Sequence, residues 1–278
     1  MRRLALLTLA TIGLSGCGDS NPISPASPEL AKVGAGGITI TSIGPARIGS
    51  QAEDVNDVGQ VVGYTETSYY TPLRAFLWTP AQPRGTTGTL RDLGTFGGAT
   101  ALAKAINNAG HVVGNAADAA GVGHPFLWTV TGGIQDLGLA GGWTSASAWD
   151  INESGQVAGL AETDVGQRAV LWTVSVDGAG VAQVLGRESL GTLPGGGSSV
   201  AFGLNNLGQA VGYAYYPESG PNRAVLWTRT STGWMIEDVG TVSGKGARSS
   251  GHSGRGSWIG GNNLIPERRS VCLAGPVL

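Results

Sequence analysis

The hydrophobic residues of this chain come in strand-sized runs separated by turn residues. Between Ala101 and Gly138 the runs "ALAKAI", "HVVGNAA", "HPFLWTV" and "GIQDLG" are bounded by "NNAG", "DAAGVG" and "TG". Short apolar runs punctuated by Gly, Asn and Asp predict four β-strands joined by tight turns. A sheet with one face in water should alternate apolar and polar side chains. Here "AFLW", "PFLW" and two copies of "AVLW" are almost unbroken, so both faces of those strands are expected to be covered, as in sheets stacked face to face.

The pattern recurs. "EDVNDVGQVVGY", "KAINNAGHVVGN", "WDINESGQVAGL" and "FGLNNLGQAVGY" are variants of one phrase, and Asn56, Asn107, Asn152 and Asn205 within them lie 51, 45 and 53 residues apart. Trp78, Trp128, Trp172 and Trp227 follow at spacings of 50, 44 and 55. Two landmarks sharing a period near about 50 residues indicate a modular array. Each asparagine is suited to an Asx turn, and Gly59, Gly110, Gly155 and Gly208 stand where a four-residue hairpin loop needs positive φ. The four tryptophans read as packing residues between modules.

Four antiparallel strands per unit, covered on both faces, describe the blades of an all-β propeller better than the coils of a parallel β-helix. The units are expected at about 37–98, 99–142, 143–197 and 198–240, with a degenerate fifth at 241–278. Residues 38–56 align with "LRDLGTFGGATALAKAIN", so the ordered chain begins with what is elsewhere a fourth strand. Residues 37–44 are expected to complete the fifth unit and close a five-bladed ring, removing exposed sheet edges. That unit keeps neither the repeated phrase nor "AFLW", and degeneracy, truncation and a shifted reading frame all account for this.

Composition refines the picture. The 278 residues are 41% hydrophobic and 13% charged, as in a folded globular protein, and the 48 glycines fall at recurring places. Residues 1–16 carry Arg2 and Arg3 and then an apolar run from Leu4 to Leu14, too short to span a bilayer and laid out as a secretion signal. Leu14-Ser15-Gly16-Cys17 resembles the lipobox of bacterial lipoproteins, which implies cleavage before Cys17, its lipidation and attachment to a membrane. Gly18 follows rather than Asp, which favours the outer membrane. Residues 17–36 read as a tether rich in Pro, Ser, Ala and Gly. Cys272 is the one other cysteine, so no disulfide framework is expected. Net charge is −2, or about −4 without Arg2 and Arg3, which disfavours nucleic acid as a partner.

The phrases "IN-x-x-G-Q-V-V-G", "R-A-F-L-W-T" and "D-L-G-T-x-G-G" together resemble those of the bacterial extracellular HAF-repeat proteins, from roughly Gly37 to Thr241. The matching positions are Asn56, Gly59 and Gly63 with "RAFLWT", Asn107, Gly110 and Gly114 with "PFLWT", and Asn152 and Asn205 with "AVLWT". The resemblance implies a secreted or surface protein and brings no settled activity. The chain departs from it at His124-Pro125 and in the fifth unit.

Candidate chemistry is sparse. "DVNDVG" and "DINESG" place oxygen ligands at alternate positions, but their equivalents "KAINNAG" and "FGLNNLG" lack the leading aspartate, and turns are the better reading than calcium. His111, His124 and His252 share no metal-ligand spacing. "GTVSGKG" lacks the phosphate-loop pattern and "GHSGRG" that of a nucleophile elbow. No catalytic residue, metal or cofactor is therefore assigned. Carboxylates facing each other across a central channel, as in glycosidases, are a question of geometry.

The loops after second strands, on the same side as the crossovers between units, hold Tyr69, Tyr70, Tyr215 and Tyr216, with Trp143 in the crossover after the second unit. Aromatics on loops suit stacking on sugar rings or capture of peptide side chains. The expectation is a monomeric, lipid-anchored envelope module that binds a polysaccharide, peptide or protein. A polysaccharide lyase or hydrolase and a purely structural envelope protein are the alternatives.

Overall fold

The computed structural model describes residues 49–66, 72–215 and 222–240, and the backbone of three further strands up to Ala274. Among these residues no helix occurs. The first sheet comprises β1 (Ser50–Val55), β2 (Val61–Glu66), β3 (Leu73–Pro80) and β4 (Gly88–Asp92). The second comprises β5 (Gly97–Ile106), β6 (Val112–Asp118), β7 (Gly123–Thr129) and β8 (Gly133–Asp136). The third holds β9 (Trp143–Ile151), β10 (Gln156–Thr163), β11 (Gly166–Val176) and β12 (Ala182–Ser189). The fourth holds β13 (Ser198–Leu204), β14 (Ala210–Tyr215), β15 (Arg223–Thr230) and β16 (Gly233–Gly240). A three-stranded sheet follows, formed by β17 (Ala247–Ser250), β18 (Trp258–Asn263) and β19 (Ser270–Ala274). Each sheet is an antiparallel meander in chain order.

The sheets stack in sequence. β5 packs on β1, β2 and β3, β9 on β5, β6 and β7, β13 on β9, β10 and β11, and β17 on β13, β14 and β15. First strands thus neighbour first strands along one edge of the stack, an arrangement consistent with a propeller. The segment 37–44 expected to complete the fifth sheet lies outside the described residues.

Three interlayer cores account for the unbroken apolar runs. Val62, Ala75 and Leu77 of the first sheet meet Val112, Phe126 and Trp128 of the second. Val113 and Leu127 of the second meet Val170 and Trp172 of the third, and Ala158 and Leu171 of the third meet Val225 and Trp227 of the fourth. Along "FLW" the leucine faces the following sheet and the aromatic residues the preceding one, so alternation persists with both faces apolar. Trp172 and Trp227 are 0% exposed, and truncating such a residue to Ala typically costs about 3–5 kcal/mol.

The repeated phrase does two things. It closes the first hairpin: in the first unit the Asn56 amide N–H donates to the Gln60 carbonyl at 3.0 Å, and Asn56 Oδ1 accepts the Gln60 N–H at 2.9 Å. Gly59, Gly110, Gly155 and Gly208 have φ of 88°, 78°, 77° and 77°, a region that a side chain would strain. The phrase also joins neighbouring sheets. Asn56 Nδ2 donates to the Asn107 carbonyl at 3.2 Å, Asn107 Nδ2 to that of Asn152 at 3.3 Å, and Asn152 Nδ2 to that of Asn205 at 3.1 Å. A second series has the same donor direction with backbone and side chain exchanged, the side chains of Asn108, Glu153 and Asn206 accepting the backbone N–H of Asp57, Asn108 and Glu153.

Candidate functional site

The first strand of each four-stranded sheet carries a β-bulge at the same place. The register with the second strand breaks between Ala52 and Asp54, Ala103 and Ala105, Ala148 and Asp150, and Ala201 and Gly203. The extra residues are Glu53, Lys104, Trp149 and Phe202, three positions before the repeated asparagines. The bulge presses the first-strand backbone onto a glycine of the second strand. A Cβ on Gly63, Gly114, Gly159 or Gly212 would overlap the carbonyl oxygen of Gln51, Leu102, Ser147 or Val200 respectively. The four glycines are thus required by close backbone approach, not by φ. A bulge re-aims a side chain, and here it does so once per unit.

The re-aimed side chains meet from sheet to sheet. Glu53 Oε1 lies 2.8 Å from Lys104 Nζ. That ammonium lies 4.9 Å from the centroid of the Trp149 ring and 5.4 Å from that of Tyr64. Trp149 meets Phe202 edge-on at 5.2 Å, and Phe202 meets Tyr213 at 5.6 Å. An ion pair and two cation–π contacts hold the lysine in a setting only 13% exposed, where an unpaired charge would be costly. The Tyr64 hydroxyl donates to Gln51 Oε1 at 2.7 Å, and the Tyr213 hydroxyl to Gln167 Oε1 at 3.2 Å. Burial, then the charges of Glu53 and Glu66, raise the Tyr64 phenol above its usual range, so it stays a donor at neutral pH.

The carboxylates at this edge are engaged. Asp54 accepts the backbone N–H of Val55 at 2.8 Å and, across the layer, that of Ile106 at 2.9 Å. Asp150 does the same with Ile151 at 2.8 Å and Leu204 at 2.7 Å. Both act as clamps between sheets, and Glu53 is neutralised by Lys104. Among the described residues no group of three or more His, Cys, Asp or Glu could hold a metal ion.

A second polar cluster has a structural explanation. His124 Nδ1 lies 2.9 Å from Asp136 and Nε2 lies 3.5 Å from Asp118. The equivalent positions of the first and fourth sheets hold the ion pairs Arg74–Asp92 at 3.0 Å and Arg223–Asp238 at 2.7 Å. His124 therefore replaces the arginine of a recurring pair. The Asp118 carboxyl is held below its usual range, first by the Val122 N–H, then by that of Ala120 and by His124.

Of the residues singled out in the sequence, Cys17, Tyr69, Tyr70 and Tyr216 lie outside the described residues. Tyr215 ends β14 and is 41% exposed. Trp143, expected in a crossover, instead begins β9 and is half-buried, its ring edge-on to Trp172 at 5.9 Å. Sequence reasoning missed the bulged row. Its signal was there: within an otherwise constant phrase, the residue three before the asparagine is Glu, Lys, Trp and Phe in turn.

No protein-family model matches the chain, and no curated protein does. The resemblance to HAF-repeat proteins therefore rests on the repeated phrases, and function has to be argued from the geometry.

Proposed function

We propose that this is a β-propeller exported and lipid-anchored through Cys17, and that it serves as a non-catalytic binding module in the cell envelope. The observation that carries the binding role is the bulged row. Each of four units spends a glycine and a bulge to turn one side chain out of the interlayer core. Tyr64 and Tyr213 add ring surface to the row from the second strands of the first and fourth sheets. A catalytic role is less well supported, because Glu53, Asp54 and Asp150 are occupied by a lysine and by backbone N–H groups.

Closure into a ring has its own support. By alternation with Ala75 and Leu77, Phe76 and Trp78 face away from the second sheet, yet they are only 5% and 6% exposed. Their counterparts in later units are buried by the preceding sheet, so the first sheet needs a covering layer too. The last sheet has three described strands where the others have four, which leaves a place for residues 37–44. The test uses envelopes of the native host. The full-length protein should sediment with them, Cys17→Ala should be released from the membrane yet still bind washed envelope material, and Tyr64→Ala with Tyr213→Ala should lose that binding while its circular dichroism and cooperative unfolding show it still folded at the assay temperature. Loss of binding only together with loss of folding would refute the assignment.

A further inference from the structure

We infer that the bulged row takes a neutral oligosaccharide; this rests on the binding role proposed above and names its ligand class. The row offers ring surface from Tyr64, Trp149, Phe202 and Tyr213, all half-buried rather than sealed into the interlayer cores. Lys104 is paired with Glu53 at 2.8 Å, and the further charges beside the row, Glu66 near Tyr64 and Glu162 at Gln167, are carboxylates, so an anionic ligand would be repelled or would have to break an ion pair. Its remaining neutral polar groups are hydroxyls, carboxamides and the Trp149 indole N–H, which is buried without a hydrogen-bond partner. The hydroxyls of Tyr64 and Tyr213 donate to Gln51 and Gln167, and Gln167 Nε2 donates on to Glu162 at 2.8 Å. The Tyr64 oxygen retains acceptor capacity and the Gln51 amide, which donates one N–H to Glu53 at 3.3 Å, has a second, a mixed set that matches sugar hydroxyls, which also donate and accept. Apolar ring faces combined with a few neutral handles fit a pyranose, with its C–H faces and hydroxyl rim. They do not fit a phosphate or a polyanion, which would call for convergent Arg or Lys.

Four neighbouring units contribute to the row, with ring surface in the first, third and fourth, so the ligand is a chain of sugars rather than a monosaccharide. Tyr64 and Tyr213 stand at its two ends, in the first and fourth sheets, and loss of either should weaken a ligand that spans them.

The test uses the full-length Cys17→Ala protein and washed envelopes. Envelope polysaccharide is freed of protein with proteinase K and split by anion exchange into neutral and acidic pools. The expected result is that protease-treated envelopes still retain the protein and that the neutral pool alone competes. Competition should be insensitive to salt, and Tyr64→Ala or Tyr213→Ala should weaken retention about tenfold. Tyr64→Phe, which keeps the ring, should weaken it less than Tyr64→Ala. Competition by the acidic pool, loss of retention after protease, or retention that neither pool relieves would overturn the ligand class while leaving a binding role in place. Absence of retention on untreated envelopes would instead refute the binding role itself.

Discussion

Placing a methyl group on Gly114 tests the bulge directly. The new Cβ would overlap the Leu102 carbonyl oxygen and lie 3.0 Å from both the Leu102 carbonyl carbon and the Ala103 Cα. All three are backbone atoms of β5, so no flexible side chain can yield. One escape is to flatten the bulge, but that shifts the register by one residue and turns Ala101 and Ala103, both 0% exposed, away from the core they share with the first sheet. The other is to push β5 outward, at about 1–3 kcal/mol for an overpacked site. Against this, Gly→Ala stiffens the unfolded chain and returns roughly 0.4–1 kcal/mol. A net loss of about 1–2 kcal/mol corresponds to about 2–8 °C in melting temperature for a domain of this size. Calorimetry of Gly114→Ala beside Gly123→Ala makes the comparison. At Gly123 the nearest atoms to a new Cβ are at 4.0 Å and φ is not positive, so that variant should melt at or slightly above wild type. If both variants melt together, the bulge imposes no constraint and the row is not a built feature.

Two further substitutions separate the roles of the repeated phrase. Asn152→Asp keeps an acceptor for the Gln156 N–H but removes the donor to Gln156 Oε1 at 2.7 Å and to the Asn205 carbonyl, and sets a carboxylate against two oxygens. Urea unfolding at pH 7 should show a loss of about 2–4 kcal/mol, and a loss below about 0.5 kcal/mol would mean the intersheet bond is not stabilising. His111→Gln restores the residue of the other three units, where Gln Oε1 accepts the asparagine Nδ2 at 2.7–2.8 Å, and should stabilise by about 1 kcal/mol. Burial lowers the His111 pKa against an opposing pull from Glu153. The unfolded chain therefore takes up this proton first as pH falls below about 6.5, and the stability of the neutral form is lost from there down through the folded pKa. Unfolding free energies of both proteins at pH 7.5 and 5.5 should diverge further at the lower pH; a constant difference would exclude the linkage.

Much of the stack was legible because two periodicities reinforce each other. The roughly fifty-residue spacing of the asparagines set the units, and the "FLW" runs said that both faces are covered. The cores at Leu77 and Trp128, Leu127 and Trp172, and Leu171 and Trp227 have that form. The bulges were not legible, because apolar residues flank them on both sides. In "ALAKAI", Ala101, Ala103 and Ile106 face the first sheet, a sequence of faces that strict alternation cannot produce. One clue was available and went unused. An Asx turn is served by Asp as well as Asn, yet all four units keep Asn, whose amide also donates, in the first three to the next sheet and in the fourth to Gln209. Trp143 misled for the opposite reason: the glycines before it resemble a loop, whereas its indole packs on Trp172 and starts the strand.

The constant and the variable residues of the phrase divide the work. Asn and Trp repeat because each makes the same contact at the first three junctions, and Gly because each four-stranded sheet has the same hairpin and bulge; a ladder of identical contacts couples a sheet only to its neighbours. Such a ladder is indifferent to which sheet follows which. The bulged residues are not, since Glu53 suits a lysine, Lys104 suits the Trp149 ring and Trp149 suits the Phe202 ring, so that exchanging two units would set unlike partners together.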